Sequence, residues 1–71
     1  MTRQKAVLYA QSLGWVTWGR FRKYEGKEYQ CFRKKNKYIW IGHRFIEHSD
    51  LNFAEDFVVD EEETKEILRM T

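Results

Sequence analysis

Tyr29-Gln30-Cys31-Phe32-Arg33-Lys34-Lys35-Asn36-Lys37-Tyr38-Ile39-Trp40-Ile41 decides how this chain folds. Polar Lys34-Lys35-Asn36-Lys37 separates two runs rich in strand-forming residues, and Asn36 offers the positive φ that a tight turn needs. A turn at Lys35-Asn36 sets Arg33 against Tyr38, Phe32 against Ile39 and Cys31 against Trp40. Phe32, Ile39 and Ile41 then share one face, while Tyr29, Cys31, Arg33, Tyr38 and Trp40 share the other. A slip of one residue would exchange those faces for the last strand.

Upstream, Glu25-Gly26 carries the glycine that a two-residue hairpin wants. That turn pairs Lys23 with Glu28, Arg22 with Tyr29, Arg20 with Cys31 and Trp18 with Arg33. It adds Phe21, Gly19 and Gln30 to the first face and Trp18, Arg20 and Arg22 to the second. Three antiparallel strands are expected, over about Trp15–Tyr24, Lys27–Lys34 and Lys37–Phe45, with Gly42 marking a bulge or bend.

The flanks read as helices. Thr2 is a candidate N-cap, Ala6, Tyr9, Ala10 and Leu13 form one apolar stripe, and Gly14 suits the left-handed residue that ends a helix. Near the other end, Asp60 with Glu63 reads as a capping box opening a helix over about Glu61–Met70, anchored by Ile67 and Leu68. Phe53, Phe57, Val58 and Val59 supply apolar anchors and a possible fourth short strand. The expected fold is therefore α+β: an N-terminal helix, a three- to four-stranded antiparallel meander and a short C-terminal helix, in one small domain over residues 1–71. Helices should cover the Phe21–Phe32–Ile39–Ile41 face.

Charge is divided by position. Residues 15–45 hold nine Lys or Arg against two Glu, and residues 46–71 hold nine Asp or Glu against two basic residues. The formal net charge of +2 conceals this division. The basic segment also holds nine of the twelve aromatic residues. Interleaved cations and flat rings suit a polyanion that carries bases. They also suit a protein partner rich in carboxylates.

Candidate binding residues are Trp18, Arg20, Arg22, Tyr29, Arg33, Tyr38 and Trp40 on the sheet face, with Lys34, Lys35 and Lys37 at the turn. Arginine forks match phosphates or carboxylates, and rings offer stacking surfaces. The competing reading places the tryptophans in the core, which a 71-residue chain needs to fill. The acidic stretch is expected to satisfy a helix N-terminus, to neutralise the basic sheet, or to mimic a phosphate backbone towards a partner.

Chemistry is nearly absent. His43 and His48 are five apart, a spacing that neither helix nor strand brings together, so no metal site or other cofactor is expected. No nucleophile–base order and no phosphate-cradling glycine loop is present, so the chain is expected not to be an enzyme. Met1-Thr2-Arg3-Gln4-Lys5-Ala6 lacks the apolar run of a signal peptide and no stretch is long enough to span a membrane, so neither is expected. The single cysteine, Cys31, points to a reducing, cytoplasmic setting.

The leading expectation is a small non-catalytic module that binds DNA or RNA through its sheet face and lysine-rich turn. The alternative is a protein-binding inhibitor or adaptor of the phage or mobile-element kind, acting on a nucleic-acid-processing enzyme or complex. A third class is a subunit that assembles head to tail through its two charged poles.

Overall fold

A computed structural model describes residues 1–19, 22–24, 26–50 and 53–70. Its elements in chain order are α1 (Arg3–Ser12), β1 (Val16–Thr17), β2 (Arg22–Tyr24), β3 (Lys27–Lys34), β4 (Lys37–Gly42), β5 (Ile46–His48), β6 (Phe53–Ala54) and α2 (Glu61–Arg69). The strands form one antiparallel meander with five positions, because β1 and β2 both pair with the same side of β3. The fold is α+β with a helix at each end, as expected, and with more strands than expected.

The central register agrees with the sequence reading. Arg33 lies opposite Tyr38, Phe32 opposite Ile39, Cys31 opposite Trp40 and Lys34 opposite Lys37. Arg22 lies opposite Tyr29 and Lys23 opposite Glu28. The positive φ of the β3–β4 turn falls on Lys35 (55°), however, and not on Asn36.

The first strand is not continuous. Val16, and not Trp18, lies opposite Arg33, and Thr17 lies opposite Phe32. Between Thr17 and Arg22 the edge strand spends four residues against the two of Gln30-Cys31. The Trp18 N–H still reaches the Cys31 carbonyl at 2.8 Å. Gly19, with φ 80°, takes part of the excess, a conformation that costs glycine little. The insertion is even in number, so Trp18 keeps the face foreseen for it. The expected Trp18–Arg33 pair is corrected accordingly, and the expected Arg20–Cys31 pair falls outside the described residues. Arg20 and Phe21 lie outside the described residues.

The reason for the displacement is Trp15. Its ring is 1% exposed. Its indole N–H donates to the Leu68 carbonyl at 2.7 Å. The His48 ring meets it edge-on at 5.8 Å. Burying Trp15 on the helix side fixes β1 against Arg33 and Phe32, and the chain must then regain the hairpin at Gly26.

Both helices lie on one side of the sheet. Ala6 and Ala10 of α1, Ile67 and Leu68 of α2, and Phe32, Ile39, Ile41, Ile46, Ala54 and Phe57 form the core. Full burial of each large apolar side chain is worth about 1.5–3 kcal/mol. The Thr2 side chain accepts from Lys5 N at 3.1 Å, so the expected N-cap forms. Gly14 follows the helix with φ 97°.

The C-terminal half departs from expectation in three places. Strand β4 ends at Gly42, not Phe45, because the Phe45 ring folds back over Gly42 and a Cβ there would overlap it. The Gly42 N–H donates to Phe45 O at 2.9 Å, closing the turn. Phe57 is buried, but Val58 and Val59 are 49% and 80% exposed and anchor nothing. The Asp60 side chain makes no capping bond to α2. Its carboxylate instead faces Glu63, and hydrogen bonding and charge between the two push the Glu63 carboxyl up from its usual range.

His48 sits at the base of this arrangement, 1% exposed. Its Nδ1 accepts from Asp50 N at 3.0 Å. That places the ring proton on Nε2, which lies 3.3 Å from the Met70 carbonyl. Trp15 and His48 together satisfy two carbonyls at the C-terminal end of α2 that the helix itself leaves open.

Candidate functional site

Because both helices cover one face, the other face of the sheet is bare among the described residues. Period-two alternation along β3 and β4 sends Tyr29, Cys31, Arg33, Tyr38 and Trp40 to it. Trp18 joins them from the edge and is 49% exposed. The tryptophans therefore divide: Trp15 is core, while Trp18 and Trp40 stand on the open face.

Trp18, Tyr29, Cys31, Tyr38 and Trp40 surround a shallow hollow of about 250 Å³. Trp18 and Tyr38 meet edge to face with centroids 6.4 Å apart. The Arg33 guanidinium carbon lies 4.9 Å from the Trp18 ring centroid and 5.9 Å from that of Tyr38. Arg33 Nε donates to Lys35 O at 3.0 Å, so the turn holds the guanidinium at the rim of the hollow. Cys31 is buried at the floor, opposite Trp40 in the register.

A second hollow, about 320 Å³, adjoins the first and shares Tyr29 and Trp40 with it. Phe45 and Glu47 complete its lining. Glu47 is the register partner of Trp40 on one side and of Phe53 on the other. Phe45 and Phe53 approach to 6.0 Å between centroids. Sequence reasoning missed Phe45, Glu47 and Phe53. After Gly42 the alternation breaks at a turn, and no two-residue period carries the face across it.

The lysine-rich turn does not act as one cluster. Lys34 and Lys37 are a register pair that points to the helix side. The Lys34 ammonium lies 6.0 Å from the Trp15 ring centroid. Lys37 is paired with Asp50 at 2.8 Å. That bond to Lys37 holds the Asp50 carboxyl below its usual range. Lys35, at the tip, is exposed, as is Arg33. Arg22 occupies the register position opposite Tyr29, and Arg20 is outside the described residues.

The acidic half forms its own surface. Phe53, Glu55, Asp56, Val59, Asp60 and Glu63 line a groove of about 450 Å³ between β6 and α2. At its border Arg44 donates twice to Asp56 Oδ2, from Nε at 3.0 Å and Nη2 at 2.7 Å. These hydrogen bonds hold the Asp56 carboxyl below, and the Arg44 guanidinium above, their ordinary values. The acidic groove thus lies at the β6 end of the strand order, with Arg44 of the basic segment at its border.

Comparison with protein-family models, with curated proteins and with solved structures finds no match to this chain. No helix among the described residues is long and apolar enough to cross a membrane.

Proposed function

We propose that this protein is a non-catalytic module that binds single-stranded nucleic acid on its open sheet face. The observation that supports it is the bare aromatic band, with Trp18, Tyr38, Trp40 and Tyr29 around one hollow and Arg33 at its rim. Unpaired bases stack on such rings without regard to sequence, and a guanidinium beside them meets the backbone phosphates. Rings standing on a sheet face suit splayed bases, whose flat surfaces a duplex keeps stacked inside. Lys35 extends the cationic rim at the turn. The single cysteine, Cys31, fits work in a reducing, cytoplasmic compartment.

A second reading is favoured by the acidic groove, where exposed Val59 and Phe53 lie among carboxylates. There the protein would act as an inhibitor or adaptor on a basic protein surface, such as that of a nucleic-acid-processing enzyme.

Titration of intrinsic tryptophan fluorescence with a uridine or thymidine oligomer at low salt tests the first reading. Binding should quench the signal, and Trp18→Ala should weaken it by about 1–3 kcal/mol if a base stacks there. A folded wild-type protein that binds no oligomer at low salt would exclude it.

A further inference from the structure

The two hollows of the open face differ in one chemical respect. The first is ringed by aromatic side chains with Cys31 at its floor, and the second contains a carboxylate, Glu47. Among the described residues the Glu47 side chain has no ion pair or hydrogen bond. It stands on β5 between Trp40 and Phe53 in the register, partly exposed, with its neighbours on both sides aromatic.

A carboxylate in a stacking site repels phosphate. On the proposed reading the backbone therefore runs along the Arg33–Lys35 rim, and base edges point towards β5. By strand spacing and rise, Arg33 and Glu47 are about 12 Å apart, two strands and one alternation step. A base that stacks on Trp40 or Phe45 would present its hydrogen-bonding edge to Glu47.

An ionised carboxylate only accepts hydrogen bonds, and it can accept two side by side. Guanine is the base whose Watson–Crick edge offers two adjacent donors, N1–H and the N2 amino group. Cytosine and adenine offer one amino group beside a bare ring nitrogen. Uracil and thymine place a carbonyl oxygen on each side of a single N–H, which a carboxylate disfavours.

We infer that Glu47 makes the second hollow a guanine-preferring subsite of the single-strand surface. This inference rests on the nucleic-acid reading of the same face. Glu47 would be a specificity-determining residue, with stacking on Trp40 and Phe45 supplying sequence-independent affinity.

The test uses three labelled pentamers: all uridine, the same with one central guanosine, and the same with one central inosine, which lacks the N2 amino group. Fluorescence anisotropy at low salt should show the guanosine pentamer binding at least about fivefold more tightly than the uridine pentamer, the lower end for a bidentate base contact. The inosine pentamer should fall between them. Glu47→Gln, close to isosteric and checked by its melting curve, should erase the preference for guanosine over inosine while leaving the uridine pentamer bound at least as well. Equal binding of all three pentamers by the wild type, or a preference that survives Glu47→Gln, overturns the subsite. A further pair of pentamers with central cytidine or adenosine completes the set. A stronger preference for either, lost in Glu47→Gln, would overturn the guanine assignment. No binding of any pentamer by folded protein sinks the nucleic-acid reading itself, and the subsite with it.

Discussion

Asp60 illustrates how a single residue can carry the right signal and still fail to deliver it. Its position before Glu61-Glu62-Glu63 is that of an N-cap, yet the side chain makes no capping bond. Three acids follow it in the first turn, and Glu63 comes close enough for its carboxyl to be pushed up. An acid whose folded pKa is raised weighs against the folded state once it ionises. Stability is therefore lost as pH rises through that range and regained as pH falls. Asn caps as well as Asp and carries no charge. Asp60→Asn should accordingly raise the melting temperature at pH 7, and the gain should fade by about pH 4, near the ordinary carboxyl range. Melting curves at both pH values check this, and an equal or larger gain at pH 4 would contradict it. The capping box was legible in the residue types but not the mutual repulsion of its members, which depends on how their side chains turn. The positive φ at Lys35 was hidden similarly: Asn36 carries the propensity, and the turn geometry assigns the strained position to its neighbour.

At the scale of elements, α2 shows what sequence periodicity conveys and what it omits. Ile67 and Leu68 mark its buried face, and both are in the core. The two side chains that close its C-terminal end come from elsewhere in the chain. Trp15 lies 53 residues before Leu68, and His48 lies 22 residues before Met70. No spacing rule links such positions, so nothing in the sequence tied Trp15 or His48 to the end of α2. Trp15→Phe keeps a ring in the core but leaves the Leu68 carbonyl without its donor. The expected cost is about 1–3 kcal/mol for the unsatisfied carbonyl. That corresponds to about 4–8 °C of Tm per kcal/mol in a chain of this size. Amide hydrogen exchange should rise first in the last turn of α2, ahead of β3 and β4. A uniform rise across all elements would mean that the bond to Leu68 holds no particular part of the fold. The central hairpin was legible because two turns and an alternating pattern agree on one register. The offset between β1 and β2 was not, since a single glycine among polar and aromatic residues announces no insertion.

At the scale of the whole molecule, the charge division survives folding but its members are not equivalent. Lys37 is committed to Asp50 and Lys34 to the Trp15 side of the sheet, leaving Lys35 with Arg33 at the open rim. Neutralising Lys35 should flatten the plot of log affinity against log salt by about 0.7 if it meets one phosphate of a single strand. Lys37→Gln should leave that slope nearly unchanged. It should instead remove the influence that holds the Asp50 carboxyl down. An acid with a depressed folded pKa stabilises above its unfolded value, and that contribution is lost as pH falls through the folded one. The Lys37→Gln deficit should thus be visible near neutral pH and shrink in acid. Equal slopes for both lysine variants would show that the two cations are interchangeable towards the ligand. The aromatic band itself was readable from alternation, whereas its extension through Phe45, Glu47 and Phe53 required the turn at Gly42 to be seen in space.

The divided edge strand carries a consequence for life at high concentration. A sheet with one uncovered aromatic face is a candidate for fibrous self-association, since bare backbone at its margin can template another chain. Here one margin is split into segments of two and three residues set out of step, and the other margin is only two residues long. Among the described residues neither presents a straight row of donors and acceptors long enough for an incoming strand to zip onto. The kink at Gly19 thus lets the molecule keep its sticky surface while denying that surface a seam along which to polymerise.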